Sequence, residues 1–388
     1  MIIQSLLDTD LYKFTMMQLV FHRFPEAQAE YRFFCRSEDV DLRSLVPAVH
    51  AEVEQLAALR LTGAERAWLE NLPYFSADFI EHLAGFRFDP RQVSVHPGSE
   101  QLEITVRGPW QASILFEVPL LAIVNESYFR ARNAVPDYAE ALMRLGYKAE
   151  LMENAGAGFS VTEFGTRRRF SRHWHEELLQ GFQRLAPNAL DGTSNVDLAR
   201  RLGLWPKGTM AHEYLQACQA LAPTLAEAQV FALETWLAEY RDMLGVALTD
   251  TYGLDAFLAD FNLELARAYT GVRHDSGDPF EWSERMLAHY ERLGIDPREK
   301  TLIYSDSLTV PRALEIFQRY GSRARLGFGI GTNLTNDVGV APLDIVIKMT
   351  RLNGRAVAKL SDDPAKAVSP DPDYLADLRA VYQRRAAG

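Results

Sequence analysis

Apolar and polar positions divide the chain into an irregular first third and a more regular second half. Leu11, Phe14, Leu19 and Phe21 recur at helical spacing behind Asp8 or Thr9, either of which can cap a helix, and Pro25 ends the run. Ala27, Ala29, Tyr31, Phe33 and Cys35 then alternate with Gln28, Glu30, Arg32 and Phe34, the period of two of a strand with one buried face. A further strand, 101–106, stops at Gly108-Pro109. This mixture predicts a smaller α+β domain over 1–125.

Beyond it the pattern becomes a repeat. Thr224 and Glu227 form a capping box ahead of Val230, Leu233, Leu237, Tyr240 and Leu244, the buried stripe of a helix that Gly245 ends. Strands are predicted at 246–249, 270–273, 301–304 and 325–329. The helices between them cover 255–268, 279–293 and 309–320, with Pro279 at a first helical position and Asp278 and Glu281 as its cap. Such alternation predicts a parallel sheet with crossover helices. The steps from Asp250 to Asp275, Asp306 and Gly331 are 25, 31 and 25 residues, about one βα unit of a barrel. The expected architecture is α/β, with an irregular barrel over 126–342. Segments 343–349 and 356–360 flank Asn353-Gly354, a two-residue hairpin signal. A hairpin does not continue a barrel, so 343–388 is expected to return to the N-terminal domain.

Composition narrows the function. At 388 residues, 47% hydrophobic and 24% charged, the chain suits one large domain and a smaller one. A net charge of −11 argues against a nucleic-acid surface and leaves room for a local cationic pocket. Cys35 and Cys218 are too few for a disulfide framework or a zinc site. The first residues lack a secretory signal, and no run approaches ~18 uninterrupted apolar residues. A cytoplasmic enzyme without a membrane partner is the expectation.

The candidate chemistry lies in loops that follow the predicted strands. In Arg273-His274-Asp275-Ser276-Gly277-Asp278 the arginine can clamp a carboxylate or phosphate, and Asp275 can accept two ribose hydroxyls. A capped turn accounts for Gly277 and Asp278 but not for Arg273 and Asp275. Gly329-Ile330-Gly331-Thr332 bares backbone N–H groups beside a hydroxyl, as phosphate loops do, although a lone motif of this kind is often just a tight turn. Phe164-Gly165-Thr166-Arg167-Arg168-Arg169 supplies guanidinium groups for an anion, or else a solvated basic face. His173 and His175 diverge on a helix and make a poor metal site. The loop Gly208-Thr209-Met210-Ala211-His212-Glu213 reads as a strand-to-helix turn that puts His212 in a first helical turn. Lys348 and Lys359 point either at phosphates or at solvent.

In their order along the chain, these motifs resemble the nicotinate phosphoribosyltransferase family, the ATP-assisted enzymes of NAD salvage. The resemblance covers nearly the whole chain: Asp8-Thr9-Asp10-Leu11-Tyr12-Lys13, FGTRR, GTSN, GTMAHE, LTDTYG, RHDSGD, YSDS, FGIGTNL and the closing LNGRAVAKLSDDPAKA. It implies a type II phosphoribosyltransferase-like irregular α/β barrel with a smaller α+β domain. The implied reaction forms nicotinate mononucleotide and diphosphate from nicotinate and 5-phosphoribosyl 1-diphosphate, with ATP hydrolysed through a phosphohistidine. On this resemblance His212 is the phosphorylated residue and Asp250 orients it. Arg167 and Arg273 hold the pyridine acid and sugar-phosphate groups, and Phe164, Ser194 and Thr209 line the substrate. Asp275, Ser305 and Asp306 serve the ribose and Mg²⁺-diphosphate region, and Gly329, Gly331 and Thr332 the 5′-phosphate. Mg²⁺ is the implied cofactor. Tyr12, which otherwise reads as core, is implied to stack on the pyridine ring of a neighbouring subunit, making a homodimer with shared sites. Alternatives are nicotinamide or quinolinate phosphoribosyl transfer, or a non-catalytic dimer that binds a pyridine nucleotide. Quinolinate would ask for a denser cationic cluster. A silent binder would be marked by loss of His212, Asp250 or Asp275, and all three are present.

Overall fold

The period-two run after Pro25 forms β1, Gln28–Cys35, which buries Ala29, Tyr31 and Phe33. With β2 (Val93–Pro97) and β3 (Leu102–Pro109) it makes an antiparallel sheet in which Tyr31 stands opposite Val106. The structure is a computed structural model that describes residues 1–241, 243–362 and 371–387. It divides into two compact units. The first comprises Met1–Gly156, Ser160–Gly208 and Ile330–Lys348; the second comprises Ala157–Phe159, Thr209–Gly329 and Met349–Gly388.

In the first unit the helix Leu11–Arg23 follows the predicted stripe. Trp110–Ala131 is long and apolar enough to cross a bilayer, but 89% of its most apolar stretch is buried inside the protein, as in a core helix. The strands β4 (Val161–Glu163) and β5 (Leu190–Thr193) pair in parallel.

The second unit carries the predicted repeat. Its strands β6 (Val246–Leu248), β7 (Gly271–His274), β8 (Thr301–Tyr304) and β9 (Arg325–Ile330, whose last residue belongs to the first unit) pair in parallel in that order. Helices Pro279–Arg292 and Val310–Tyr320 make two of the crossovers. Asp278 caps the first of these by accepting the N–H groups of Phe280 and Glu281 at 2.8 and 2.9 Å.

Two details depart from expectation. The helix expected over 255–268 is two, Leu254–Asp260 and Leu263–Ala268, because the Asn262 side chain accepts the Leu265 N–H at 3.0 Å and starts a new cap. The Thr224 hydroxyl donates to the Glu227 carboxylate at 2.6 Å instead of capping the backbone. The helix Ala228–Tyr240 therefore begins through a 3₁₀ turn, and it ends at Arg241, whose φ of 52° breaks it before Gly245.

The hairpin forms as predicted. β10 (Ile345–Leu352) and β11 (Arg355–Ala356) are joined through Asn353 and Gly354, with φ of 50° and 77°, both positive as a type I′ turn requires. β10 lies next to β1, giving the order β11-β10-β1-β3-β2. The second arm is shorter than expected. After Ala356 the chain leaves the sheet, and the Leu360 N–H donates to the Thr251 carbonyl at 2.9 Å. The fold class is α/β, parallel strands with crossover helices together with an antiparallel sheet domain.

Candidate active site

In the second unit the strand ends converge on His212. It is the first residue of the helix His212–Leu221, as expected, although no strand leads into the loop before it and Pro206 makes only an isolated bridge with Thr193. Its Nε2 lies 2.7 Å from Asp250 Oδ1, and its Nδ1 lies 3.7 Å from Asp275 Oδ2. Asp250 follows β6 and is fully buried, and its Oδ2 accepts both the Ser276 hydroxyl and the Lys359 ammonium at 2.5 Å. Asp275 follows β7, and its Oδ1 accepts the Ser305 hydroxyl at 2.6 Å. The framework beneath is tied by Thr249, whose hydroxyl donates to the Arg273 carbonyl at 3.1 Å and accepts Trp282 Nε1 at 2.9 Å. Thr209 Oγ1 donates to the Val246 carbonyl at 3.3 Å, so this predicted substrate residue also braces β6. Arg273 keeps its Nε buried without a hydrogen-bond partner, an orphan donor of the kind that a bound anion satisfies. Asp306 follows β8 by two residues, and Gly329 lies within β9.

These contacts set the charges. Burial works to raise the Asp250 carboxyl, but the Lys359 ammonium and the His212 ring hold it well below the usual carboxylate range. Burial depresses His212, and Lys359 adds to this, against the pull of Asp250 and Asp275. The balance favours the neutral ring. Asp275 is lowered: burial opposes this, and His212 and Arg273 outweigh it. Ligand atoms of His212, Asp250 and Asp275 lie within 4.8 Å of one another, a spacing that a metal ion could use. The trio does not suit one. Both oxygens of Asp250 are committed, and one of them already holds an ammonium that would repel a dication.

The first unit carries the other predicted residues. Tyr12 is the second residue of the helix Leu11–Arg23, and a Cβ on Gly208 would come within 3.1 Å of its backbone nitrogen, so the loop before His212 needs glycine there. Ser194 is buried and donates to Asp10 at 2.8 Å. The Phe164 N–H donates to the Ile330 carbonyl at 2.9 Å, and a Cβ on Gly331 would meet the Phe164 carbonyl at 3.0 Å. Thr332 opens the short helix Thr332–Thr335.

The arginine run is not a solvated face. Arg169 is fully buried, with Asp8 held by its two terminal nitrogens at 2.6 and 2.9 Å and Glu126 on its Nε at 3.1 Å. Arg168 pairs with Asp344 at 2.9 Å. Arg167 keeps a 40% exposed side chain, against 32% for Arg168, and lies 3.5 Å from Glu117 and 4.0 Å from Asp10. Asp8 is thereby diverted from the helix cap expected of it, and Asp10 occupies the cap position without a side-chain cap bond. His175 turns inward onto Glu163 at 2.7 Å while His173 faces out, the divergence expected of two residues on a helix. Arg169→Met is expected to destabilise the protein by about 3–5 kcal/mol, because it strands two buried carboxylates. A urea titration checks this, and a loss under about 1 kcal/mol would show that the cluster is not structural.

Lys359 and Ser276 were not predicted as partners of Asp250, and the Asp8–Arg169–Glu126 and Glu163–His175 clusters were missed. The closing motif was the signal for Lys359, though not for its target. Residues 363–367 of that motif lie outside the described residues.

Comparison with known proteins gives a consistent family. The nicotinate phosphoribosyltransferase (NAPRTase) family matches residues 159–386, and its N-terminal domain matches 7–125. A nicotinate phosphoribosyltransferase of Cupriavidus necator is 55% identical over 391 residues, covering 100% of both chains. One of Bordetella pertussis is 52% identical over 387 residues, covering 99% of this chain and 96% of the relative. Among solved structures, nicotinate phosphoribosyltransferase from Porphyromonas gingivalis superposes with a TM-score of 0.95 at 38% identity, covering 98% of this chain and 100% of the other. The Vibrio cholerae structure gives 0.93 at 42% identity, covering 98% and 94%.

Proposed function

This chain belongs to the nicotinate phosphoribosyltransferase family, and we propose that it joins nicotinate to 5-phosphoribosyl 1-diphosphate, releasing nicotinate mononucleotide and diphosphate, with ATP hydrolysis coupled through His212. The observation that carries the ATP step is the ring held by Asp250 through Nε2 at 2.7 Å. A neutral imidazole so held keeps its proton on Nε2 and its lone pair on Nδ1. The Nδ1 lone pair attacks the γ-phosphorus of ATP, the bond to the bridging oxygen breaks, and its electron pair leaves with ADP. The Nε2 proton stays in place, shared with Asp250, so the step needs no general base. A phosphoryl group on Nδ1 would face Asp275, now 3.7 Å away. Repulsion between these like charges gives ATP a physical route to the carboxylate assigned to the ribose.

The transfer itself asks for little acid–base chemistry. The pyridine nitrogen of nicotinate is already a neutral nucleophile, and the barrier lies in parting a cationic ribosyl group from diphosphate. Asp275 stabilises the ribosyl charge, and the Arg273 guanidinium, whose buried Nε has no partner, suits a phosphate or carboxylate oxygen. Arg167 and Arg273 hold the pyridine acid and sugar-phosphate groups, with Phe164, Ser194 and Thr209 lining the substrate, and Gly329, Gly331 and Thr332 take the 5′-phosphate. Asp306, half-buried after β8 and accepting the Ser307 hydroxyl at 3.1 Å, offers the hard oxygen that Mg²⁺ prefers. When bound, Mg²⁺ offsets the charge of the leaving diphosphate.

We place the enzyme in the cytoplasm as a homodimer in which Tyr12 serves the neighbouring copy. Supporting association, Tyr138, Leu142, Met143 and Tyr147 expose apolar surface along the helix Tyr138–Asn154. Substrate choice is tested by competition among pyridines for product formation. Nicotinate is expected to win by about a hundredfold or more over nicotinamide, which lacks the charge that the arginines would hold. Equal use of nicotinamide or quinolinate would overturn this reading.

A further inference from the structure

Lys359 reaches Asp250 from 109 residues away in sequence and is only 7% exposed. Its segment is fixed on both sides. The Gln219 side chain bonds both the N–H and the carbonyl of Ala358, at 2.9 and 2.6 Å, and the Leu360 N–H donates to Thr251 at 2.9 Å. A buried ammonium is costly unless it is paired, and a strap built to deliver one to a carboxylate that already holds a histidine and a serine calls for a purpose.

The charges around His212 supply one. Asp250 faces the ring from the end of β6 and Asp275 from the end of β7, with Arg273 beside Asp275 and Lys359 arriving on the strap. Two carboxylates on opposite sides of an imidazole favour the imidazolium, which has no lone pair to offer a phosphorus. Lys359 opposes that by neutralising the buried carboxylate that touches Nε2. We propose that Lys359 is a positioning residue that sets the charge state of His212: by holding the second oxygen of Asp250 it keeps the ring neutral and its Nδ1 lone pair available. The consequence for phosphoryl transfer rests on the function proposed above, whereas the charge state does not.

The test follows the His212 ring by ¹H–¹⁵N NMR across pH in the full-length protein labelled with ¹⁵N-histidine, with the resonance assigned through His212→Asn. The variants are Lys359→Met, Lys359→Gln and Lys359→Arg. Glutamine keeps a donor on the Asp250 oxygen without the charge, and so covers the case in which methionine prevents folding. The wild-type ring is expected to stay neutral below pH 6.5, the ordinary histidine value. The midpoint is expected to rise by about one pH unit or more in the Met and Gln variants and to return in the Arg variant. Folded Met or Gln variants with an unmoved midpoint would overturn the proposal.

In parallel, acid-labile phosphoenzyme formed from γ-labelled ATP is measured over the same range. The neutral variants are expected to lose it from the acid side while keeping the alkaline plateau, a pattern that general structural damage would not produce. Absence of phosphoenzyme in the wild type would refute the phosphohistidine reading, and the titration would still decide the role of Lys359.

Discussion

His212→Asn is expected to abolish the stimulation of turnover by ATP while leaving slow, ATP-independent formation of nicotinate mononucleotide. Asparagine fits the first turn of the helix His212–Leu221, and its amide can still donate to Asp250, so the local fold has reason to persist. What it lacks is a nitrogen lone pair able to attack phosphorus. The groups assigned to ribose and phosphate, Asp275 and Arg273, sit on a separate strand end and are untouched. Initial rates with and without ATP measure the effect: the whole ATP-dependent increment should vanish. Loss of the ATP-independent rate as well would refute a coupling role for this histidine.

Asp250→Asn should reduce phosphoenzyme formation by a factor on the order of 10³–10⁴, the scale seen when an aspartate that fixes a histidine tautomer becomes an amide. The new amide can turn its N–H toward Nε2 and drive the ring proton to Nδ1, the atom proposed to attack. It also removes the charge on which Lys359 rests at 2.5 Å, leaving an ammonium buried beside a neutral group. Rapid quench of labelled phosphoenzyme, with circular dichroism to confirm folding, separates the two consequences. Phosphorylation at the wild-type rate in a folded variant would mean that Asp250 does not set the tautomer.

Many local signals in the sequence held, although the Asn262 cap and the Thr224–Glu227 bond, both local, were not read from it. The alternation in β1, the proline and Asp278 cap at 278–279, β8 at Thr301–Tyr304 and the Asn353-Gly354 turn all follow from backbone preferences or from one buried face. His212 at a helix start and Asp250 and Asp275 after strands followed from the same reasoning. The misses among the charged residues share a different cause. Asp8 looked like a cap because its neighbours form a helix, but its partner, Arg169, is 161 residues away, and a buried guanidinium outcompetes backbone N–H groups for a carboxylate. Arg167 to Arg169 looked like one basic face because sequence does not reveal which of three adjacent arginines meets buried acids. Lys359 was visible as part of a motif, but its orientation depends on Gln219 and Thr251, contacts that only the tertiary fold brings about. The substrate itself was never legible from spacing; the family resemblance supplied it.

The central claim is nicotinate phosphoribosyl transfer driven by ATP through His212. Its most direct test is product formation from nicotinate and 5-phosphoribosyl 1-diphosphate, with Mg²⁺, in the presence and absence of ATP. Nicotinate mononucleotide is expected in both conditions, faster with ATP and accompanied by ADP and phosphate. No nucleotide in either condition, or a rate indifferent to ATP, would contradict it.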